Sequence, residues 1–278
     1  MLEAGERWRV VEGDCRPLLA AMPAACVDLV LTDPPYGHSN NDDDLIGRWE
    51  EALGEKRRAG AAERRPIAND GPEANELVRG ILPELSRVLK SPGCCCCCCC
   101  GGGGPDPQFA RWSLWLDEVF RFKQMVVWDK GPMGMGWHYR RSYETVLVAE
   151  KRGPGACRWE DSSGRVENII RPGDYGIRKI LPGENDHPTP KPWQLAAHFV
   201  RLHSSPGDLV LDPFAGHRWV GVACMKLGRR YLGFEIDPAF AEAAGRKVAE
   251  AADGDALFTH THTHTHTQKT GLFGETQE

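Results

Sequence analysis

The strongest constraint in this sequence is an apolar run that stops abruptly. Val27-Asp28-Leu29-Val30-Leu31-Thr32 leads directly into Asp33-Pro34-Pro35-Tyr36-Gly37. The run is short, rich in branched side chains and bounded by turn formers, so it predicts a buried strand. Two successive prolines lack the N–H that a ladder needs, so the strand ends there. The stop leaves a carboxylate, a proline carbonyl and an aromatic ring at the carboxyl end of a strand. In open α/β sheets that edge is where ligands bind. A planar amino group could donate its two hydrogens to the Asp33 carboxylate and the Pro34 carbonyl, while Tyr36 stacks on the ring that carries it. A turn that merely ends a strand would use the same residues, so the rest of the chain has to decide.

At 278 residues the chain is long enough for one large domain with a substantial core. No uninterrupted apolar run approaches the ~20 residues of a membrane span. The stretch Met1-Leu2-Glu3-Ala4-Gly5-Glu6-Arg7 does not have the form of a signal peptide. A cytoplasmic protein with no membrane partner is the expectation. The formal net charge of −5 gives no global basic footprint, so a nucleic-acid partner has to be met by a local surface. Of the 11 cysteines, seven are consecutive, Cys94 to Cys100. Neighbours on a strand point to opposite faces, so a contiguous run cannot surround one metal ion. The run predicts a fully buried strand, with thiols acting as small hydrophobes, and no metal is expected.

Other strands are expected at Trp8–Asp14, 124–129, 144–149, 209–212 and 230–237. Helices are expected at 15–22, 73–89, 109–120, 193–202, 220–227 and 239–251. Asp14 falls at a strand's carboxyl end, where it either caps a turn or faces a ligand. His38 to Arg65 is polar and predicts a mobile insertion, extending to about residue 72, that either stays solvated or closes over a substrate. Residues 140–179 carry nine Lys or Arg against six Asp or Glu, with Trp159 and Tyr175 interleaved. That local excess of positive charge makes Arg140, Arg141, Arg158 and Arg165 candidates for contact with DNA, although a salt-bridged loop region would look the same. From Gly254 the composition changes, and Thr and His alternate from Thr259 to Thr267. The expected organisation is a domain over 1–253 and a disordered tail over 254–278. The tail imidazoles would share one face of an extended chain and bind a transition metal weakly at most.

The second chemical signature lies late in the chain. Leu209-Val210-Leu211-Asp212-Pro213-Phe214-Ala215-Gly216 reads as a strand ending in a glycine turn, and Glu235 follows 19 positions later. A sharp turn, a helix N-terminus and an acidic residue for ribose hydroxyls make up the logic of a nucleotide-type site. A nicotinamide-dependent oxidoreductase would share that acidic residue. It would also want G-x-G-x-x-G, and Gly216-His217-Arg218-Trp219-Val220-Gly221 lacks the middle glycine.

Three stretches, in this order, resemble the β-class of S-adenosylmethionine-dependent DNA amino-methyltransferases. They are Thr32-Asp33-Pro34-Pro35-Tyr36-Gly37, then His187-Pro188-Thr189-Pro190-Lys191-Pro192, then Asp212-Pro213-Phe214-Ala215-Gly216 with Glu235-Ile236-Asp237. The resemblance spans roughly residues 8 to 252. It implies a Rossmann-like, seven-stranded, mostly parallel α/β sheet with one antiparallel strand and a circularly permuted motif order. It implies that Asp33, Pro34, Pro35 and Tyr36 are catalytic. It also implies that Asp212, Phe214, Ala215, Gly216 and Glu235 line the S-adenosylmethionine site, with Thr189 and Lys191 at the methionine end and Asp14 near the adenine. The target base would leave double-stranded DNA and enter the pocket. An aspartate in first place is closer to the adenine-N6 members than to the cytosine-N4 ones. Target recognition would fall to a small insert at about 150–186, with help from the 38–72 insertion or a second subunit. A homodimer and a cognate restriction endonuclease are partners that the resemblance allows.

The sequence departs from the family pattern at 217–220. Members continue the glycine turn with Ser-Gly-Thr-Thr, where this chain has His217-Arg218-Trp219-Val220. The second glycine lets the backbone approach the cofactor and the hydroxyls cap the next helix. Two readings stay open: a remodelled pocket with those side chains turned outward or stacked on the cofactor, and a DNA-binding homologue that no longer takes it up.

Overall fold

The computed structural model describes residues 2–37, 68–99, 108–131, 142–177, 191–216 and 219–261. All but residues 68–72 of the insertion expected at 38–72, together with Thr189, Arg140, Arg141, His217, Arg218 and the Thr/His repeat beyond Thr261, lies outside them. The strands are β1 (Trp8–Glu12), β2 (Val27–Thr32), β3 (Leu89–Cys99), β4 (Arg121–Asp129), β5 (Tyr143–Glu150), β6 (Ile169–Ile170), β7 (Leu209–Asp212) and β8 (Arg230–Glu235). The helices are α1 (Cys15–Ala20), α2 (Ala74–Val88), α3 (Gln108–Val119), α4 (Trp193–His203), α5 (Trp219–Lys226) and α6 (Pro238–Thr261).

These eight strands join one sheet in the order β1-β8-β7-β2-β3-β5-β4-β6. Among the described residues only β5 runs antiparallel, to β3 on one side and β4 on the other. The expected single antiparallel strand is there. The expected count of seven becomes eight because Ile169 and Ile170 pair with Val127 and Trp128 at one edge. Two residues are too short to leave a periodic signal in a sequence.

Alternation along the strands builds a separate core on each face. Val30, Cys95, Leu147, Leu209, Leu211 and Phe234 point to the face covered by α1, α2 and α3. Leu29, Leu31, Cys94, Cys96, Val146, Val148 and Val210 point to the face covered by α4, α5 and α6. A period of two on a sheet buried on both sides has this consequence: every residue is apolar, and neighbours serve opposite cores. The described cysteines of the run obey it, with Cys94, Cys95 and Cys96 all 1 % exposed or less. Ser91-Pro92-Gly93 follows the helix and lies within β3. It forms an irregularity inside β3, where the pairing of β2 skips from Val27–Leu89 to Leu29–Cys94.

β2 and β7 lie side by side at the centre. The chain leaves β2 toward β3 on one side and leaves β7 toward β8 on the other. Such a topological switch opens a crevice at the carboxyl ends of the strands. At the other extreme of the chain, α6 runs to Thr261, past the boundary expected at 253. A single glycine in a helix costs only about 1 kcal/mol and no proline follows Gly254, so the helix continues.

Candidate active site

The crevice at the switch point is a pocket with an empty volume of about 850 Å³, its open mouth included. One wall is Asp33, Pro34, Pro35 and Tyr36, delivered by the end of β2. The opposite wall is Pro213, Phe214, Gly216 and Trp219 after β7, with Phe234, Glu235, Ile236 and Phe240 around the end of β8. Gly13 and Asp14 close one side from the end of β1. Residues 180 positions apart in sequence are therefore tied at the floor, where the Thr32 hydroxyl donates to Asp212 Oδ1 at 2.8 Å.

The Asp33–Tyr36 turn is held from three directions. Asp70 Oδ1 accepts the backbone N–H groups of Tyr36 and Gly37, both at 2.9 Å. Gln108 Nε2 donates to the Tyr36 carbonyl at 2.7 Å. Lys191 Nζ donates to the Asp33 carboxylate and, at 2.9 Å, to the Tyr36 hydroxyl, which also bonds Asp33. Glu144 lies 3.6 Å from the same ammonium. Burial pushes the Asp33 carboxyl above its ordinary range, against the pull of Lys191 beside it.

Sequence reasoning missed Asp70 and Gln108. Asp70 fell inside the stretch expected to be a mobile insertion, yet it is 1 % exposed and clamps the motif. An acidic residue beside Asn69 and Gly71 looks like loop chemistry. The one signal available was its lack of a neighbouring basic residue, which is weak.

On the other wall, Glu235 braces the glycine turn. Its carboxylate accepts the N–H of Gly216 at 2.7 Å and of Asp237 at 2.9 Å, one on each oxygen. Each oxygen keeps a second lone pair for a hydroxyl donor. Burial raises the Glu235 pKa, and those backbone N–H groups pull it back. Phe214 lines the pocket, but Asp212 and Ala215, both 0 % exposed, sit one layer behind the surface that the sequence reading assigned them to. Asp212 accepts Thr32 and the Phe214 N–H on Oδ1 and positions the turn, while Oδ2 has no partner among the described residues. Burial raises its pKa to about 7. Asp14 both lines the pocket and caps α1, where it accepts the Arg16 N–H at 2.9 Å. The capping role is the one its hydrogen bond shows.

At the departure from the family pattern, Trp219 is 3 % exposed and Val220 is 0 %. Both belong to the core between the sheet and α4–α6, and Trp219 also shows a face to the pocket. The indole is thus a structural part of the wall. Away from the crevice, Arg158 and Arg165 are exposed on the segment after β5. Arg158 pairs with Glu160 at 2.7 Å, and Trp159 and Tyr175 are 54 % and 48 % exposed.

An apolar, acid-tipped pocket at a topological switch, sharing one opening with an Asp-Pro-Pro-Tyr turn, defines the class of α/β enzymes that bring a nucleotide-like cofactor to an amino group. Residues 27–246 match the N6/N4 DNA methylase family model, and the chain belongs to that family. It is 27 % identical over 270 residues to the DNA adenine methyltransferase YhdJ of Escherichia coli K12, covering 87 % of this chain and 83 % of that protein. Among solved structures, TTHA0409 of Thermus thermophilus, complexed with S-adenosyl-L-methionine, has a TM-score of 0.61 and 24 % identity over 88 % of this chain and 95 % of its own. The cytosine-N4-specific PvuII DNA methyltransferase has a TM-score of 0.59 and 17 % identity, over 90 % and 95 %. The sequence relative is named for adenine and this structural neighbour for cytosine.

Proposed function

We propose that this chain transfers a methyl group from S-adenosylmethionine to the exocyclic amino nitrogen of a base flipped out of double-stranded DNA, with adenine N6 as the preferred acceptor. The observation that carries this reading is the shared pocket. The Asp33–Tyr36 turn and the Phe214–Gly216–Glu235 wall face one space, as a donor and an acceptor in direct transfer must. The preference for adenine rests on the aspartate at position 33 and on the likeness to an adenine methyltransferase.

The residues present fit the cofactor. Phe214, Phe234, Ile236 and Phe240 offer apolar surface for an adenine ring, and the second lone pairs of Glu235 suit ribose hydroxyls. Asp33 and Glu235 bring carboxylate oxygens to the pocket, which suit a cationic sulfonium. When bound, S-adenosylmethionine supplies an electrophilic methyl group. Asp33 and the Pro34 carbonyl accept the two amino hydrogens of the base, which turns the nitrogen lone pair out of the ring plane toward the cofactor side. Tyr36 stacks on the base. Asp33 is also placed to receive the proton that the nitrogen sheds, and Lys191 counters the penalty of its burial. Positioning of this kind supplies much of the rate in a direct transfer. Thr189 and Lys191 serve the methionine end, and Asp14 the adenine. Arg158 and Arg165, with Arg140 and Arg141, meet the phosphate backbone, and Trp159 and Tyr175 are exposed rings on the segment after β5.

The test is calorimetric titration with S-adenosylmethionine, followed by mass spectrometry of nucleosides from DNA treated with the enzyme. Micromolar binding and N6-methyladenine support the reading, and N4-methylcytosine corrects the base alone. Cofactor binding that appears only after His217→Ser with Arg218→Gly would make the natural chain a DNA-binding homologue. Trp219 and Val220 are left in place in that variant because removing a buried indole would test stability instead. Asp33→Ala should abolish transfer and leave cofactor binding nearly intact.

A further inference from the structure

On the face of the sheet away from α1–α3, three side chains from distant parts of the chain converge. Cys94 projects from β3, Cys157 from the segment after β5, and His203 from the last turn of α4. Their ligand atoms all lie within 4.8 Å of one another. We propose that Cys94, Cys157 and His203 form a binding site for one zinc-class divalent ion that fastens the segment after β5 to the sheet.

The donor set is right for such an ion. Two thiolates and an imidazole are the ligands a borderline-soft d¹⁰ cation selects, and sites of two sulfurs and one nitrogen suit tetrahedral geometry. Bonds of about 2.3 Å to sulfur and about 2.0 Å to nitrogen put neighbouring ligand atoms roughly 3.5–4 Å apart. The observed cluster needs only a small contraction to meet that. His203 Nδ1 lies 3.1 Å from the Arg158 carbonyl. A carbonyl only accepts, so Nδ1 carries the proton and Nε2 keeps its lone pair. A backbone partner that sets the tautomer is the usual outer support of a metal-bound histidine.

The fourth position is left to water or to a carboxylate that can move in. Glu150 is the strand partner of Cys94 across β3 and β5 and is 3 % exposed. Arg121 and Lys123 lie 2.6 and 3.4 Å from its Oε1, so its charge is balanced. Two thiolates and a divalent ion make a neutral unit, which burial does not penalise as it would a bare ion. Half-buried Cys157 gives the ion a way in. Binding releases the two thiol protons to solvent. The consequence is local. Residues 157–160 already touch α4 through the Glu160 N–H on the Leu202 carbonyl at 2.9 Å and through Trp159 against His203, ring centres 5.5 Å apart. A metal would turn these contacts into a fixed corner under the exposed Arg158–Arg165 surface. The inference is independent of methyl transfer.

The experiment is cobalt titration of the full-length protein, reduced and stripped with a chelator, followed in the near ultraviolet for thiolate-to-cobalt charge transfer. The imidazoles of the Thr/His tail cannot produce that band. One cobalt per chain, displaced by zinc, with a zinc-dependent rise in melting temperature, is the expected result. Cys157→Ser should lose the band, His203→Asn should weaken binding by at least about 100-fold, and Cys26→Ser, a thiol bonded elsewhere to the Pro23 carbonyl, should change neither. Absence of a thiolate band in the native chain, or a band undiminished in Cys157→Ser, would overturn the proposal.

Discussion

Replacing Asp70 with alanine isolates the support of the catalytic turn from its chemistry. Asp70 is 1 % exposed, and one of its carboxylate oxygens accepts two backbone N–H groups at 2.9 Å, from Tyr36 and Gly37. A hydrogen bond to a charged acceptor contributes about 1.5–3 kcal/mol, and a buried donor left unmade loses that and its desolvation. Two such bonds give about 3–6 kcal/mol. Asn69 beside it is partly exposed, so water can enter the vacated space, and the lower end, about 3 kcal/mol, is expected. The turn that carries Tyr36 then loses its fixed position. A displacement near 1 Å at a reacting group costs about 10²-fold in rate. Transfer of labelled methyl to DNA should therefore show kcat down roughly 10²-fold, with cofactor affinity nearly unchanged, and the denaturant midpoint should fall. Asp70→Asn retains an acceptor and loses only the charge, so about a tenfold loss is expected. An alanine variant with an unaltered midpoint and undiminished kcat would refute the clamp.

Three further perturbations follow from the same site. Glu235→Gln replaces an acceptor with an amide that meets one backbone N–H donor-to-donor, at Gly216 or Asp237. S-adenosylmethionine affinity measured by calorimetry should fall about 10–100-fold, and an unchanged Kd would remove Glu235 from the cofactor site. Lys191→Met removes the charge that holds the Asp33 pKa down, so the carboxylate forms only at higher pH. The acidic limb of the kcat–pH profile should move upward, and a superimposable profile would mean that Asp33 need not be ionised. Asp212 titrates near 7 in the fold against an ordinary 3.8, so the native state holds its proton more tightly than the unfolded chain does. Stability from that proton is complete below 3.8 and is lost as pH rises through 7. The wild type should lose about 1.4 kcal/mol on this account between about pH 6 and 8 in urea melts, Asp212→Asn should not, and equal losses in both would place the titration elsewhere.

Much of the site could be read in the sequence because its chemistry is carried by short, local signals. Asp33-Pro34-Pro35-Tyr36 announces a strand end by proline alone, and Gly216 and Glu235 bracket one turn, one helix and one strand. Cys94, Cys95 and Cys96 could be assigned to a buried strand because thiols pack like small hydrophobes at any register. Asp70 could not be found this way. Its value lies in two backbone groups more than 30 positions away, and nothing next to it in sequence records that contact.

The order of strands and helices, the two ends of the chemistry and the family resemblance were all legible along the chain. They follow from periodicities and turn residues within about twenty positions of one another. Folding settled the rest. It put Asp212 behind the turn as its support and made Trp219 part of the wall. It also set Lys191 against Asp33, made Ile169–Ile170 an eighth strand, and gathered Cys94, Cys157 and His203 at one point. The physical reason is the same in each case. A side chain's role at such a place is set by what packs against it, and in a doubly wound sheet those neighbours come from crossovers that no local pattern encodes.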